Sequence, residues 1–308
     1  MVAFAESLGS VLTIFILIIV GYVLQQKKKI TKEIGSFLSY TVVNITLPCS
    51  IFNTITTTVD LKKISELPIF VGAVMVSQLL TMLVAWILTI FFNIDEDKKG
   101  SFIALSAFNN TLFMGLPVSI ALFGEKSSSI ILYYYIASTI LFWTIGIRVI
   151  VGKKVKSKFK IPKPMYGIVL GFVILTVTYF FPEFKLPGFA TDTMTYLGKM
   201  TTPLSMIFTG YALGEYGLKN IRFDKSINLG LISRFIISPA IFIAIILLID
   251  ASKLHRDVFI VQAFMPVMAS QTIIARQYGV DDSYPSVMVT ISTLISLFII
   301  PLVKVVLS

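Results

Sequence analysis

Two adjacent amides and a Gly-x-Pro, in Asn109-Asn110-Thr-Leu-Phe-Met-Gly115-Leu-Pro117, lie in the middle of an apolar stretch. These residue types suit one kind of chemistry, the non-covalent capture of a charged group. Pro117 removes a backbone donor and clashes with the turn before it, and Gly115 lets the chain open. The helix that restarts after the break presents unpaired N–H groups and the positive end of its dipole, which favour an anion. Asn109 and Asn110 add neutral donors and acceptors beside it. A second break is expected at Pro266, followed closely by Ser270, Gln271 and Thr272. Two crossing half-helices would bring two positive ends to one point, with Gln271 or Thr272 facing the opposite break. Asn44 stands one turn before Pro48 and is placed to reach either a freed carbonyl or a ligand. Lys199 and Arg234 lie inside apolar segments, where a charge facing lipid costs several kcal/mol. Each is expected to face a cavity or to snorkel, and both are secondary candidates for attracting an anion. The alternative is a set of plain proline kinks, with Asn, Ser and Thr bonding back to their own turns.

Covalent chemistry finds little support. Asp60, Asp192, Glu215 and Asp250 all fall near segment ends, so the sequence offers no paired carboxylates at depth for proton relay, a sodium site or intramembrane hydrolysis. One cysteine, Cys49, and one histidine, His255, rule out an internal disulfide and a Cys or His metal cluster. No Gly-x-x-x-x-Gly-Lys phosphate loop occurs. The expectation is a non-enzyme with no catalytic residues, no cofactor and no metal.

The elements that must position these residues are membrane helices. Hydrophobic residues make up 56% of the 308 and charged residues 14%, against roughly a quarter charged in soluble domains. Mean hydropathy is +0.88. A spanning helix needs about 20 mostly apolar residues. Ten segments meet that length: 8–25, 34–57, 67–92, 101–123, 128–150, 164–181, 191–213, 226–249, 256–277 and 284–306. The first reads as a helix of the mature protein rather than a cleaved leader, because no basic residue precedes it and no small-x-small site follows.

The net charge of +10 is expected to be topological rather than a sign of nucleic-acid binding. Most Lys and Arg fall in loops on one side, at 27–32, 98–99, 153–163 and 219–225 and at Arg276. The positive-inside rule makes that side cytoplasmic and places both termini outside, in a multi-pass protein of the cell membrane. The basic stretch 152–163 divides the chain into a first repeat, 1–151, and a second, 164–308, of five helices each. An odd number per half inverts the second repeat. Leu47-Pro48-Cys49-Ser50-Ile51 is echoed by Thr202-Pro203-Leu204-Ser205-Met206, Phe102-Ile103-Ala104 by Phe259-Ile260-Val261, and Phe123-Gly124 by Tyr278-Gly279, all at an offset of 155–157. The expected fold is an all-α polytopic membrane protein, with ten transmembrane helices in a 5+5 inverted repeat and with helices 4 and 9 broken.

Several of these segments together resemble the auxin efflux carrier family, the plant PIN carriers and their bacterial relatives, within the bile-acid/sodium symporter-like superfamily. The most specific piece is Asn110-Thr-Leu-Phe-Met-Gly-Leu-Pro117 with Phe123-Gly124. Asn44-Ile-Thr-Leu-Pro48, Phe264-Met-Pro266 with Ala275-Arg-Gln-Tyr-Gly279, and the closing Ser292-Thr-Leu-Ile-Ser-Leu-Phe-Ile-Ile-Pro301 are similar to further family segments. The resemblance implies that helices 4 and 9 cross at their breaks. It also implies a scaffold of helices 1, 2, 6 and 7, a transport part of helices 3–5 and 8–10, elevator-type alternating access and a homodimer. The implied cargo is a small organic anion, auxin-like or a dicarboxylate such as malate. In the preferred reading Asn110 is the direct ligand, Asn44 and Gln271 complete the pocket, Asn109 and Thr272 are further substrate-binding candidates, and Gly115, Pro117 and Pro266 shape the crossing. An anion channel and a membrane-embedded anion sensor are the other readings.

Overall fold

The computed structural model describes residues 2–59, 66–124, 126–152, 163–216 and 223–307. The 152–163 linker therefore falls outside the described residues except at its two ends, and Asp60 falls outside them as well. Among the described residues all regular structure is helical, apart from one isolated antiparallel bridge between Asn109 and Val267.

The helices in chain order are α1 (Val2–Gln26), α2 (Lys32–Thr41), α3 (Leu47–Thr58), α4 (Leu67–Phe91), α5 (Glu96–Ala107), α6 (Leu116–Phe123), α7 (Ser127–Leu141) and α8 (Ile147–Val151). They continue with α9 (Lys163–Phe180), α10 (Gly188–Lys199), α11 (Thr201–Tyr216), α12 (Lys225–Ile232), α13 (Ser238–Ile246), α14 (Lys253–Ala263), α15 (Ser270–Gln277) and α16 (Ser283–Leu307). Several run on through single π-helical turns. Among the described residues five spans are long and apolar enough to cross a membrane: Lys32–Thr57, Leu67–Phe91, Ser127–Val151, Lys163–Phe180 and Lys225–Ile246. The last helix bends by 44° between Ser296 and Phe298.

Proline explains most of the irregularity. The π-helical turns at Val42–Thr46, Thr111–Gly115 and Ser233–Ile237 each run into a helix with proline in its first turn: Pro48, Pro117 and Pro239. Proline cannot donate to the carbonyl one turn back and its ring presses on that turn, and an extra residue bulged into the ladder relieves both problems. The seventh apolar segment, read from sequence as continuous over 191–213, is broken at Met200 between α10 and α11. Pro203 has no N–H to offer the Lys199 carbonyl four residues before it.

The chain forms two compact units, and neither coincides with a sequence half. One comprises Leu12–Pro68 and Lys158–Gly214; the other comprises Met1–Val11, Ile69–Ser157 and Glu215–Ser308. Apart from the start of α1, the first, second, sixth and seventh segments share one unit and the rest share the other. The resemblance implies this same grouping.

In the smaller unit, small residues let helix backbones approach, as membrane packing requires. A Cβ on Gly210 of α11 would sit 1.9 Å from the Ile18 carbonyl oxygen of α1. The Asn53 amide of α3 donates to the Met194 carbonyl of α10 at 2.8 Å. In the larger unit the core is aromatic: Phe70 stacks on Tyr133 and His255, and Phe259 touches Phe70, Tyr134 and Phe242. At one end of that unit, Lys98 of α5 bridges Asp95 and Asp224 at 3.2 and 3.0 Å, while Asp224 caps α12 by accepting the Ile227 N–H at 2.8 Å. Large apolar side chains such as Leu83, Trp86, Val169 and Val173 stand exposed on α4 and α9, as expected of helix faces turned to hydrocarbon.

Candidate functional site

The site lies wholly within the larger unit, where two helices break and meet. α5 ends at Ala107, and Phe108 (φ −99°, ψ 121°) turns extended. α14 ends at Ala263, and the chain is irregular until α15 starts at Ser270. The two short irregular stretches meet in a single antiparallel bridge between Asn109 and Val267. The Asn110 N–H donates to the Pro266 carbonyl at 2.8 Å, and the Met268 N–H donates to the Phe108 carbonyl at 3.1 Å. This pairing accounts for the backbone polarity that helix breaks would otherwise leave open at depth. Ser292 of α16 adds another partner, its hydroxyl accepting from the Val267 N–H at 3.2 Å.

The two asparagines have different jobs. The Asn109 amide donates to the Gln262 carbonyl, and its oxygen accepts from the Thr111 hydroxyl at 2.6 Å. Its amide and its oxygen are thus each bonded within the break. Asn110 is also buried, but its hydrogen bonds to the described residues are made by its backbone. Its side-chain amide makes no hydrogen bond to a described residue.

Across the crossing, the Gln271 amide donates to the Ala104 carbonyl at 3.2 Å, while its oxygen is buried without a donor, as is the Ser270 hydroxyl. Thr272 is buried next to them. Gly115 is required by a close approach: a Cβ there would meet the Gln262 amide oxygen at 2.3 Å. Gln262 in turn donates to the Ser119 hydroxyl at 2.9 Å. Pro117 stands in the first turn of α6, and Pro266 supplies a carbonyl to the crossing.

Arg234 is fully buried and is the only charged side chain among the buried described residues. All three of its guanidinium nitrogens donate to backbone carbonyls. Nε reaches Met265 at 3.0 Å, Nη1 reaches Ser106 at 3.2 Å, and Nη2 donates to Ala263. Nη1 also meets the Ser238 hydroxyl at 3.4 Å. Ser106 and Ala263 lie in the last turns of α5 and α14, so Arg234 sits on the negative ends of both broken helices. The positive end of the helical stretch that starts at the Thr111–Gly115 turn and continues as α6, and that of α15, belong to the same crossing and are not compensated by any buried carboxylate among the described residues.

The expected site residues are divided between the two units. Asn110, Asn109, Gln271, Thr272, Gly115, Pro117, Pro266 and Arg234 all belong to the crossing. Asn44 belongs to the other unit, in the π-helical turn before Pro48, and its amide donates to the Tyr40 carbonyl at 2.8 Å. Lys199 is also in that unit, exposed in the last turn of α10. Sequence reasoning passed over Gln262, Ser106, Ser119, Tyr134 and Gln78. The Tyr134 hydroxyl meets the side chains of Asn109 and Gln78 and lies near the Arg234 charge, and Gln78 donates to the Ser138 hydroxyl at 2.6 Å. The signal for the two glutamines was present: an amide inside an apolar helix is expensive and needs a partner. Among the described residues no group of three His, Cys, Asp or Glu side chains is placed to hold a metal.

Comparison with known sequences places the chain in a family of membrane transport proteins. The profile of the family described as membrane transport protein, the auxin efflux carrier-like family, matches residues 7–164 and again residues 149–304, and the chain belongs to it. A protein of Methanocaldococcus jannaschii described as an uncharacterized transporter is 29% identical over 300 residues, covering 95% of this chain and 96% of that protein. A second uncharacterized transporter, from Methanothermobacter thermautotrophicus, is 26% identical over 310 residues, covering 99% of each. The chain is a polytopic, all-helical membrane transporter.

Proposed function

We propose that the chain is a secondary transporter for a small organic anion, a carboxylate or dicarboxylate, held at the crossing of the two broken helices. The observation that carries this reading is the asymmetry of charge there. The negative helix ends are compensated by Arg234, whereas the positive ends of the stretch that continues as α6 and of α15, and the Asn110 amide, have no anionic partner among the described residues. Each helix end contributes about 0.3–1 kcal/mol, and up to ~2 when partly buried. Two ends and a few amides support micromolar to millimolar affinity, a range that lets a carrier release its cargo.

In this reading the chain spans the cell membrane ten times as a 5+5 inverted repeat, with both termini extracytoplasmic and the 152–163 linker cytoplasmic. The unit bearing the crossing is the moving part of an elevator, the unit bearing Asn44 and Lys199 is the scaffold, and the protein works as a homodimer. The division into two compact units, each drawn from both sequence halves, supports that assignment.

Counterflow in proteoliposomes tests it. A panel of radiolabelled monocarboxylates and dicarboxylates is presented outside vesicles loaded with the same unlabelled acid. Transient accumulation that saturates supports a carrier. Flux without saturation or counterflow would indicate a channel, and binding without flux a sensor; either outcome overturns the proposal.

A further inference from the structure

We propose that Arg234 is the resident cation of the crossing: its guanidinium fills the carbonyl-lined position where a broken-helix transporter would hold an alkali-metal ion, so the site works without sodium or potassium. The consequence for transport rests on the anion-carrier reading; the occupancy does not.

Where two membrane helices break and cross, four helix ends meet. Freed carbonyls at the C-terminal ends and in the unwound stretch are a ready set of hard oxygen ligands, and transporters commonly use them to coordinate a coupling cation. In this chain those oxygens are Ser106 from α5, Ala263 from α14 and Met265 from the break. Each already accepts from a different guanidinium nitrogen of Arg234. The side chain is fully enclosed, so its charge cannot be dispersed into water, and a second cation beside it would meet direct repulsion at low dielectric. No carboxylate among the buried described residues offsets it. The helix that delivers Arg234 is shaped to hold it there. The residue lies in the Ser233–Ile237 π-helical turn that Pro239 enforces, and Ser238 in the next turn braces the guanidinium. A planar fork with five donors matches several carbonyls at fixed angles better than an ammonium would.

The test uses the purified full-length protein in detergent. For the wild type, Tm is measured in sodium, potassium, lithium and choline chlorides at equal ionic strength, and the four values are expected to coincide. A saturable rise in any alkali salt over choline overturns the proposal. Arg234→Ala empties the position. Its Tm is expected to fall and to recover saturably with millimolar methylguanidinium chloride, measured against equal choline chloride. A folded Arg234→Ala protein whose Tm ignores methylguanidinium overturns the proposal. Should that variant not fold, Arg234→Lys keeps the charge without the fork. It is expected to melt below wild type and to stay indifferent to alkali ions, and sodium-dependent melting of this variant counts against the proposal. Once a transported anion is in hand, its uptake is expected to persist with choline replacing all sodium and potassium. Uptake lost only in choline overturns this inference and leaves the carrier standing. Absence of flux in every medium overturns the carrier and leaves the melting experiments to decide the role of Arg234.

Discussion

The Asn110 N–H donates to the Pro266 carbonyl at 2.8 Å, joining the break after α5 to the break after α14. The two residues are far apart in sequence, and each lies where its own helix has lost a partner. The bond ties the two openings together, so the amide side chain of Asn110 is presented from a fixed backbone. A side chain held this way makes its contacts at lower ordering cost than one on a mobile loop.

Substitution separates the two asparagines. Asn110→Ala keeps the backbone bond to Pro266 and removes an amide that the described residues do not engage, so Tm is expected to stay near wild type while anion uptake falls at least tenfold. Asn109→Ala strips a buried partner from the Gln262 carbonyl and the Thr111 hydroxyl; it is expected to cost ~1–3 kcal/mol of stability. Thermal melting and uptake measured on both variants check the split. Normal uptake affinity in Asn110→Ala would remove that residue from the site.

Gly115 and Gln262 are coupled by space. A methyl group at position 115 would lie 2.3 Å from the Gln262 amide oxygen, well inside contact distance, so Gly115→Ala is expected to destabilise by about 1–3 kcal/mol through overpacking. Shortening the opposing side chain relieves the clash. The double variant Gly115→Ala, Gln262→Ala is expected to be more stable than the sum of the two single changes predicts. Strict additivity in the melting cycle would show that Gly115 is needed for another reason.

The breaks were legible in the sequence because glycine and proline punctuate a helix by their own covalent structure. The same logic reaches the π-helical turns before Pro48 and Pro239, although an added residue in the ladder leaves no mark in composition. The meeting of the breaks was not readable from the residues alone, since Asn109 and Val267 pair through backbone groups that every residue has. Arg234 was visible as a charge inside an apolar segment, but its targets are carbonyls, which carry no side-chain signature. Asn44 was readable as an amide one turn before a proline, able to reach a freed carbonyl or a ligand; its amide donates to the Tyr40 carbonyl. Lys199 looked deep because it lies about two turns into the seventh segment, whereas the structure places it in the last turn of a short helix, α10.

The Lys98–Asp224 pair offers a measurement away from the membrane interior. Burial pushes the Asp224 carboxyl up, but the Ile227 N–H, the Ser226 hydroxyl and Lys98 outweigh it and leave the carboxyl below its ordinary value. Burial likewise pulls Lys98 down, and Asp224 and Asp95 overcome it, leaving the ammonium above its ordinary value. A depressed carboxyl stabilises fully above its unfolded pKa of about 3.9 and loses that contribution as pH falls through the folded value. A raised ammonium stabilises fully below its unfolded pKa of about 10.4 and loses that contribution as pH rises through the folded value. The pair is therefore constant across neutral pH and fails only at the extremes. Asp224→Asn keeps an acceptable N-cap for α12 and removes only the charge. Both partners are partly exposed, so the expected loss is at most about 1 kcal/mol. Because salt screens such a pair, wild-type and Asp224→Asn melting curves are expected to converge at high ionic strength, and to draw together again as pH falls below the unfolded value of about 3.9 and through the lower folded one. A difference that persists in high salt would assign the role of Asp224 to its hydrogen bonds rather than to its charge.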